Sequence, residues 1–290
     1  MSSSSEPIII GVLALQGAFA EHIAYLTHCL PSSSTSSLTA IPIRSPTELA
    51  SCSALVIPGG ESTVIQSVAD RTPGMLATLQ AFVRDPEKAV WGTCAGMILM
   101  AEEEGVGGGK VIPGRERQRG WGGIEGLKVW RNLYGNQLES FEAPLVIPDL
   151  SNPTEPFPAI FIRAPAVHSL HPRKLEDHTA SSSASSSAPT LSASSITSPA
   201  QLPTPASTPP RLASPSSSSR VPVIALATLP AEYQPPPPPS DSHLGAPTVE
   251  DLGKVMLRQG KKMVTSFHPE LSGDVRVHRY WVEKCVLGEK

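Results

Sequence analysis

The 290-residue sequence is short of cysteine, of excess basic charge and of long apolar runs, and each shortage removes a class of function. Its four cysteines, Cys29, Cys52, Cys94 and Cys285, lie far apart and form no C-x-x-C pair. Neither a zinc site nor a disulfide framework is therefore expected. A net charge of −3 and a pI near 6.2 leave no electrostatic case for nucleic acid or an anionic membrane surface as partner. The longest apolar run near the N-terminus, Ile8 to Leu15, falls far short of the roughly 20 residues that span a bilayer. It has no basic flank, so no signal peptide is read there, and Met1 to Ser5 is expected to be a frayed leader.

What is present points to a nucleophile. Cys94 sits in Trp91-Gly92-Thr93-Cys94-Ala95-Gly96, directly after an apolar run and two residues from a glycine on each side. This is the cysteine form of a nucleophile elbow, in which a strand turns sharply into a helix and the tip residue needs small neighbours. The free N–H groups of a helix opening there favour negative charge on the sulfur. The plainer alternative for a lone cysteine after a strand is a small buried hydrophobe.

A second motif, Ser266-Phe267-His268-Pro269-Glu270, decides between them. Residues two apart on extended backbone point to the same side, and Pro269 pushes His268 out of the helical region. Glu270 can then orient His268, which takes a proton from Cys94 and later returns it to a leaving amine. A catalytic thiol also favours a reducing compartment, so a cytoplasmic location is expected.

With these residues in view, the chain resembles a class I (triad) glutamine amidotransferase. It is similar in particular to the glutaminase subunit of pyridoxal 5′-phosphate synthase. The matching stretches run in family order: Gly11-Val12-Leu13-Ala14-Leu15-Gln16-Gly17 with Glu21-His22, Pro58-Gly59-Gly60-Glu61-Ser62-Thr63, and Gly92 through Leu99. Arg131-Asn132, Gln137, Ser140-Phe141-Glu142, Phe161-Ile162-Arg163-Ala164-Pro165 and Thr265 through Leu271 complete them. The P-G-G-E-S, S-F-E and F-I-R-A-P stretches specify the branch, whereas the catalytic residues alone indicate only the superfamily.

The resemblance implies a three-layer, flavodoxin-like α/β fold with a mostly parallel central sheet and helices on both faces. It implies hydrolysis of L-glutamine to glutamate and ammonia through Cys94, His268 and Glu270, a reaction no step of which requires a metal or organic cofactor. Backbone N–H groups of Gly60 and Ala95 would form the oxyanion hole. Gly60, Glu61, Ser62, Arg131, Ile162 and Arg163 would bind glutamine, and Gln16 would organise the oxyanion turn and the partner interface. The partner implied is a (β/α)₈-barrel synthase subunit, in a complex of up to twelve plus twelve chains. One departure stands out: the family's usual Arg in the turn after R-N-x-[FY]-G is Asn136 here. Two other readings are a triad glutaminase serving another pathway and a non-catalytic flavodoxin-fold protein with a reactive cysteine. The S-F-E and F-I-R-A-P stretches argue against the first, and the H-x-E pair against the second.

The residues themselves support the fold class. Ile8–Leu15, Ala54–Ile57 and Ala89–Gly92 read as buried parallel strands. Helical patterns fall at about Phe19 to Leu30 and Met75 to Arg84, and Ser45-Pro46-Thr47-Glu48 has capping-box spacing. Further strands are expected at Leu127–Trp130, Ala143–Ile147, Ala159–Arg163, Val221–Leu229, Val255–Arg258 and Met263–Phe267, with a closing helix from about Asp274 to Val286. Alternating units of this kind make one domain over residues 1–290.

That domain is interrupted by a low-complexity insert at about 174–220 and smaller inserts at about 105–120 and 233–247. In Thr179–Ser219 all but six residues are Ser, Thr, Ala or Pro. Such a segment cannot bury enough apolar surface to offset its ordering entropy, so disorder is expected. Loop closure costs only about 0.6 kcal/mol per doubling of length. Replacing Thr179–Ser219 by a short Gly/Ser linker should therefore leave kcat and the thermal midpoint nearly unchanged, and limited proteolysis should cut there first. A deletion variant that fails to fold would show the segment to be structural.

Overall fold

Aliphatic runs without polar alternation can be strands only where both faces of a sheet are covered. The computed structural model describes residues 7–29, 38–109, 114, 116–134, 140–170, 221–241 and 243–289. In chain order these form β1 (Ile8–Leu13), α1 (Phe19–Cys29), β2 (Leu38–Ile43), α2 (Pro46–Ala50), β3 (Ala54–Ile57), α3 (Ser62–Arg71), α4 (Met75–Arg84) and β4 (Ala89–Thr93). Next come α5 (Ala95–Leu99), β5 (Val106–Gly107), β6 (Leu127–Tyr134), β7 (Phe141–Leu145), β8 (Phe157–Phe161) and β9 (Ala164–Leu170). The last are β10 (Ile224–Thr228), α6 (Val249–Leu252), β11 (Lys254–Gln259), β12 (Lys262–Thr265) and α7 (Arg276–Trp281), which runs on as a π-turn over Val282–Val286.

The central sheet has seven strands in the order β10-β11-β12-β4-β3-β1-β2. From β12 to β2 every pairing is parallel, and β10 and β11 add an antiparallel edge. Ile10, Val12, Val56 and Trp91 join a core that includes Leu26 of α1 and Val277, Tyr280 and Trp281 of α7. Leu13, Leu55, Ile57 and Val90 join a second core with Ile65 of α3 and Met75, Leu79 and Val83 of α4. Helices on both faces thus explain the unbroken apolar runs.

The strands after β5 divide among three sheets. β5, β6 and β9 form one small sheet and β7 and β8 an antiparallel ribbon, both apart from the central one. Four elements carry no clear local signal. β2 contains Pro42, tolerable because β2 is an edge strand. α3 buries only Ser62, Ile65 and Ala69. β9 follows β8 after only Ile162 and Arg163, and α6 is a four-residue turn. The closing helix begins at Arg276, two residues later than expected.

The described residues belong to a unit formed by Met1–Arg173 and Val221–Lys290. The segment Thr179–Ser219 expected to be disordered, the Met1–Ser5 leader, Asn136 and Gln137 lie outside the described residues. Described parts of the smaller inserts pack. Val106–Gly107 pairs with β6, Leu244 is buried, and Arg117 pairs with Asp241 at 3.2 Å.

The capping box forms as its spacing dictates: Glu48 N–H donates to Ser45 Oγ at 3.3 Å, and Ser45 N–H donates to Glu48 Oε2 at 2.9 Å. Ser45→Ala is expected to lower the urea midpoint by the equivalent of about 1 kcal/mol without changing the m-value. An unshifted midpoint would mean that α2 is held by its packing alone.

Candidate active site

The parallel strands deliver their C-terminal ends to one edge of the sheet: Gln16 follows β1, Gly59-Gly60 follows β3, Cys94 follows β4 and His268 follows β12. Because the chain passes from β1 out to β2 and then back to β3 on the other side of β1, this edge is a topological switch point.

Cys94 has φ 46° and ψ −99°, a conformation rare for a residue with a side chain, and such strain costs of order 1–3 kcal/mol. It is held from both sides. Cys94 N–H donates to Thr265 O of β12 at 2.8 Å, and the flanking glycines permit contacts no larger residue could. A Cβ on Gly96 would lie 2.0 Å from the Ile57 carbonyl oxygen, and one on Gly92 would lie 2.5 Å from the Gly96 carbonyl. Ala95 is the first residue of α5.

His268 and Glu270 meet as the H-P-E spacing requires. The two groups lie 2.8 Å apart, from His268 Nδ1 to Glu270 Oε1, with Glu270 buried and the His268 side chain 10% exposed. Burial alone would lower the His268 imidazolium, but hydrogen bonds to Cys94 and Glu270, with their charges, push it up to about 10. Burial would raise the Glu270 carboxyl, yet His22 and His268 facing it hold it below its ordinary value. A thiol, an imidazole and a carboxylate in this order can transfer an acyl group through sulfur.

The Gly59-Gly60 turn lies against the imidazole: a Cβ on Gly59 would be 2.3 Å from His268 Cε1. Gln16 Oε1 accepts from Glu61 N–H at 2.8 Å, and Gly59 O accepts from Ala18 N–H at 3.1 Å. The second bond sets the plane of the Gly59–Gly60 peptide, so its N–H points away from Ala18. Among the expected binding residues, Arg131 Nη2 is 3.5 Å from Glu61 Oε1, and Ser62 Oγ donates to Gln118 Oε1 at 2.9 Å. Ile162 and Arg163 form the corner between β8 and β9, drawn near His268 because its N–H donates to Ile160 O at 2.8 Å. Arg163, at φ 49°, is exposed.

Sequence reasoning missed three residues here. Gln118 reaches Ser62 from a Gly/Arg-rich stretch without a recognisable motif. His22 and His278 are fully buried behind Glu270. His22 stood in the quoted Glu21-His22 stretch, but no local spacing ties it to a residue 248 positions later. The other thiols are poor nucleophiles: burial pushes Cys29 up to about 11 and Cys285 to about 12, and raises Cys52. Among the described residues no group of three or more His, Cys, Asp or Glu could hold a metal ion. No described helix is long and apolar enough to cross a membrane.

The model of the SNO glutamine amidotransferase family matches residues 12–184. The chain is 33% identical over 279 residues to the pyridoxal 5′-phosphate synthase subunit PdxT of Streptomyces coelicolor, covering 96% of this chain and 94% of the relative. It is 40% identical over 275 residues to the subunit of that name in Leifsonia xyli, covering 95% and 94%. Subunit SNO1 of that synthase in Saccharomyces cerevisiae is 39% identical over 160 residues, covering 55% of this chain and 67% of the relative. A crystal structure of a glutamine amidotransferase superposes with a TM-score of 0.57 at 28% identity, covering 96% of this chain and 98% of that one.

Two outcomes follow from the geometry. Gly96→Ala drives a methyl into the Ile57 carbonyl, so Cys94 should lose most of its reactivity toward iodoacetamide, with a thermal midpoint lower by several degrees, about what 1–3 kcal/mol of overpacking gives. Unchanged alkylation would show that the elbow does not need this contact. For His268, the folded value near 10 lies above the ordinary 6.5. Its imidazolium therefore stabilises the fold fully below about 6.5, and that contribution is lost as pH rises through about 10. In Cys94→Ala the sulfur's share is gone, so the His268 ring resonance should titrate at lower pH than in the unmodified chain. Coincident NMR titration curves would refute the Cys94–His268 interaction.

Proposed function

The chain belongs to the SNO glutamine amidotransferase family and is a glutamine-hydrolysing enzyme, and from this premise we propose that it works as the glutaminase subunit of pyridoxal 5′-phosphate synthase. The observation that carries the catalytic assignment is the run from Cys94 through His268 to Glu270 at the strand ends.

In this reading the Cys94 thiolate attacks the side-chain amide carbon of glutamine, and the carbonyl oxygen takes up negative charge. The N–H groups of Ala95 and Gly60 receive that oxyanion; one such donor is typically worth about 2.7–4 kcal/mol of transition-state stabilisation. His268 protonates the departing nitrogen, the C–N bond breaks, ammonia leaves, and a glutamyl thioester remains. His268 then takes a proton from water, whose oxygen attacks the thioester, and glutamate departs as the Cys94 sulfur is released. Glu270 keeps the imidazole in the orientation and tautomer both steps need. Glu61, Ser62, Arg131, Ile162 and Arg163, with the Gly60 backbone, bind the amino-acid end of glutamine. An Arg suits a planar carboxylate and Glu61 an ammonium.

Ammonia is useful only where it is consumed, so the partner is a synthase subunit of (β/α)₈-barrel form, in a complex of up to twelve plus twelve chains in the cytoplasm. The turn at Gly59-Gly60 supports control by that partner. Turning its N–H the other way would break the Gly59–Ala18 bond but meet little steric resistance at two glycines.

Cys94→Ala and His268→Asn should abolish glutamate release while fold and partner binding persist, whereas Glu270→Gln should keep residual activity. Activity in either purified null variant above a mock preparation would sink the triad. With a stoichiometric barrel subunit, glutamate release at saturating glutamine should rise about tenfold or more, since one oxyanion donor is worth roughly a hundredfold. Equal rates in the two tubes would mean that the oxyanion hole is preformed.

A further inference from the structure

Two imidazoles that no step of the proposed reaction uses lie directly behind the triad. His22 of α1 and His278 of α7 are both fully buried, and His22 Nδ1 is 2.9 Å from His278 Nε2. The other His22 nitrogen, Nε2, is 3.2 Å from Thr93 Oγ1 and 3.4 Å from Glu270 Oε2. The 3.4 Å approach is looser than a full hydrogen bond, and Glu270 Oε2 has no other partner among the described residues. The rings of Trp91 and Tyr25 each lie 4.8 Å from that of His278, so the pair sits among aromatic surface. Apolar residues of similar volume would fill this space without the cost of burying two polar rings.

We propose that His22 is a positioning residue of the glutaminase, holding the second oxygen of Glu270 so that the first stays aligned on His268, with His278 setting the tautomer of His22. The assignment rests on the glutaminase reading and deepens it.

The proton placement follows from the neighbours. A carboxylate oxygen calls for a donor, so His22 carries its hydrogen on Nε2 and leaves Nδ1 as a bare acceptor. His278 must then donate to it from Nε2, which leaves His278 Nδ1 bare. Nδ1 is the His278 atom with no hydrogen-bond partner among the described residues. The opposite arrangement would set a His22 lone pair against the carboxylate and bury an unpaired N–H on His278. Burial lowers both imidazoles, well below the ordinary value for His278, so both are neutral near pH 7 and fit this scheme. His22 also touches Thr93, the residue before the nucleophile, and so links the Cys94 end of β4 to the acid that orients its base.

A polar pair that merely joined α1 to α7 would predict different behaviour from the side-chain amides. The amide nitrogen of Gln reaches roughly the place of His Nε2, that of Asn the place of Nδ1. His22→Gln keeps a donor toward Glu270, whereas His22→Asn keeps only the contact toward His278. The full chain and its His22→Gln, His22→Asn and His22→Leu variants are compared in two assays: alkylation of Cys94 by iodoacetamide, and glutamine hydrolysis with the synthase partner. Circular dichroism checks folding. His22→Asn and His22→Leu should lose about tenfold or more in kcat with KM for glutamine within about twofold, and lose alkylation rate in parallel. His22→Gln should recover both to within about threefold of the unmodified chain.

Wild-type rates in His22→Leu, or equal rates in His22→Gln and His22→Asn, would overturn the proposal. If His22→Leu does not fold, the Gln and Asn variants decide alone. Alkylation needs no glutamine, so it scores His22 even if the unmodified chain fails to hydrolyse glutamine, an outcome that would count against the glutaminase reading instead.

Discussion

The close approach of the Gly96 backbone to the Ile57 carbonyl is the contact on which the site depends. It seats the start of α5 against the end of β3, and only a residue without a Cβ fits the 2.0 Å that a side chain would leave. Once α5 is seated, the chain leaving β4 has to turn within one residue, and Cys94 takes the positive φ that the turn requires. The neighbouring strand absorbs the strain: Thr265 of β12 accepts the Cys94 N–H. The same strand then carries the chain on to His268, so one sheet edge presents both the thiol and the imidazole.

Electrostatics follows from this packing. Glu270 is a buried carboxylate, which is tolerable only if nearby donors compensate for lost hydration. His268 supplies one donor at 2.8 Å, and His22 faces the other oxygen. His268 is in turn a buried base pushed up to about 10 by groups on both sides of it. His268 and Glu270 are therefore each held in their state by their neighbours, and the fold makes this possible by burying both. A surface triad would exchange these contacts with water and lose the mutual shifts.

The parts legible in the sequence are those whose geometry is local. The G-x-C-x-G elbow, the H-P-E pair and the Ser45 capping box each depend on a few consecutive residues, and each has the form that its spacing implies. β3 and α4 lie where the unbroken and the helical apolar patterns put them. The less legible elements answer to their surroundings. β2 is a strand despite Pro42 because it lies at an edge, and β7 and β8 pair with each other, not with the central sheet. Of the binding residues expected from the resemblance, Glu61 and Arg131 meet each other, Ser62 meets Gln118, and Arg163 stands exposed at a corner.

By itself the sequence determined that this is an alternating α/β chain with a cysteine at an elbow and a histidine oriented by a glutamate. Hydrophobic runs, glycine spacing and the proline before Glu270 act over distances that the covalent chain controls. Only the tertiary structure decided that β12 lies beside β4, which brings residue 268 to residue 94, and that α1 and α7 close behind Glu270 with an imidazole from each. Those pairings join residues 174, 248 and 256 positions apart. No periodicity encodes such separations, because they arise when several elements bury their apolar faces together.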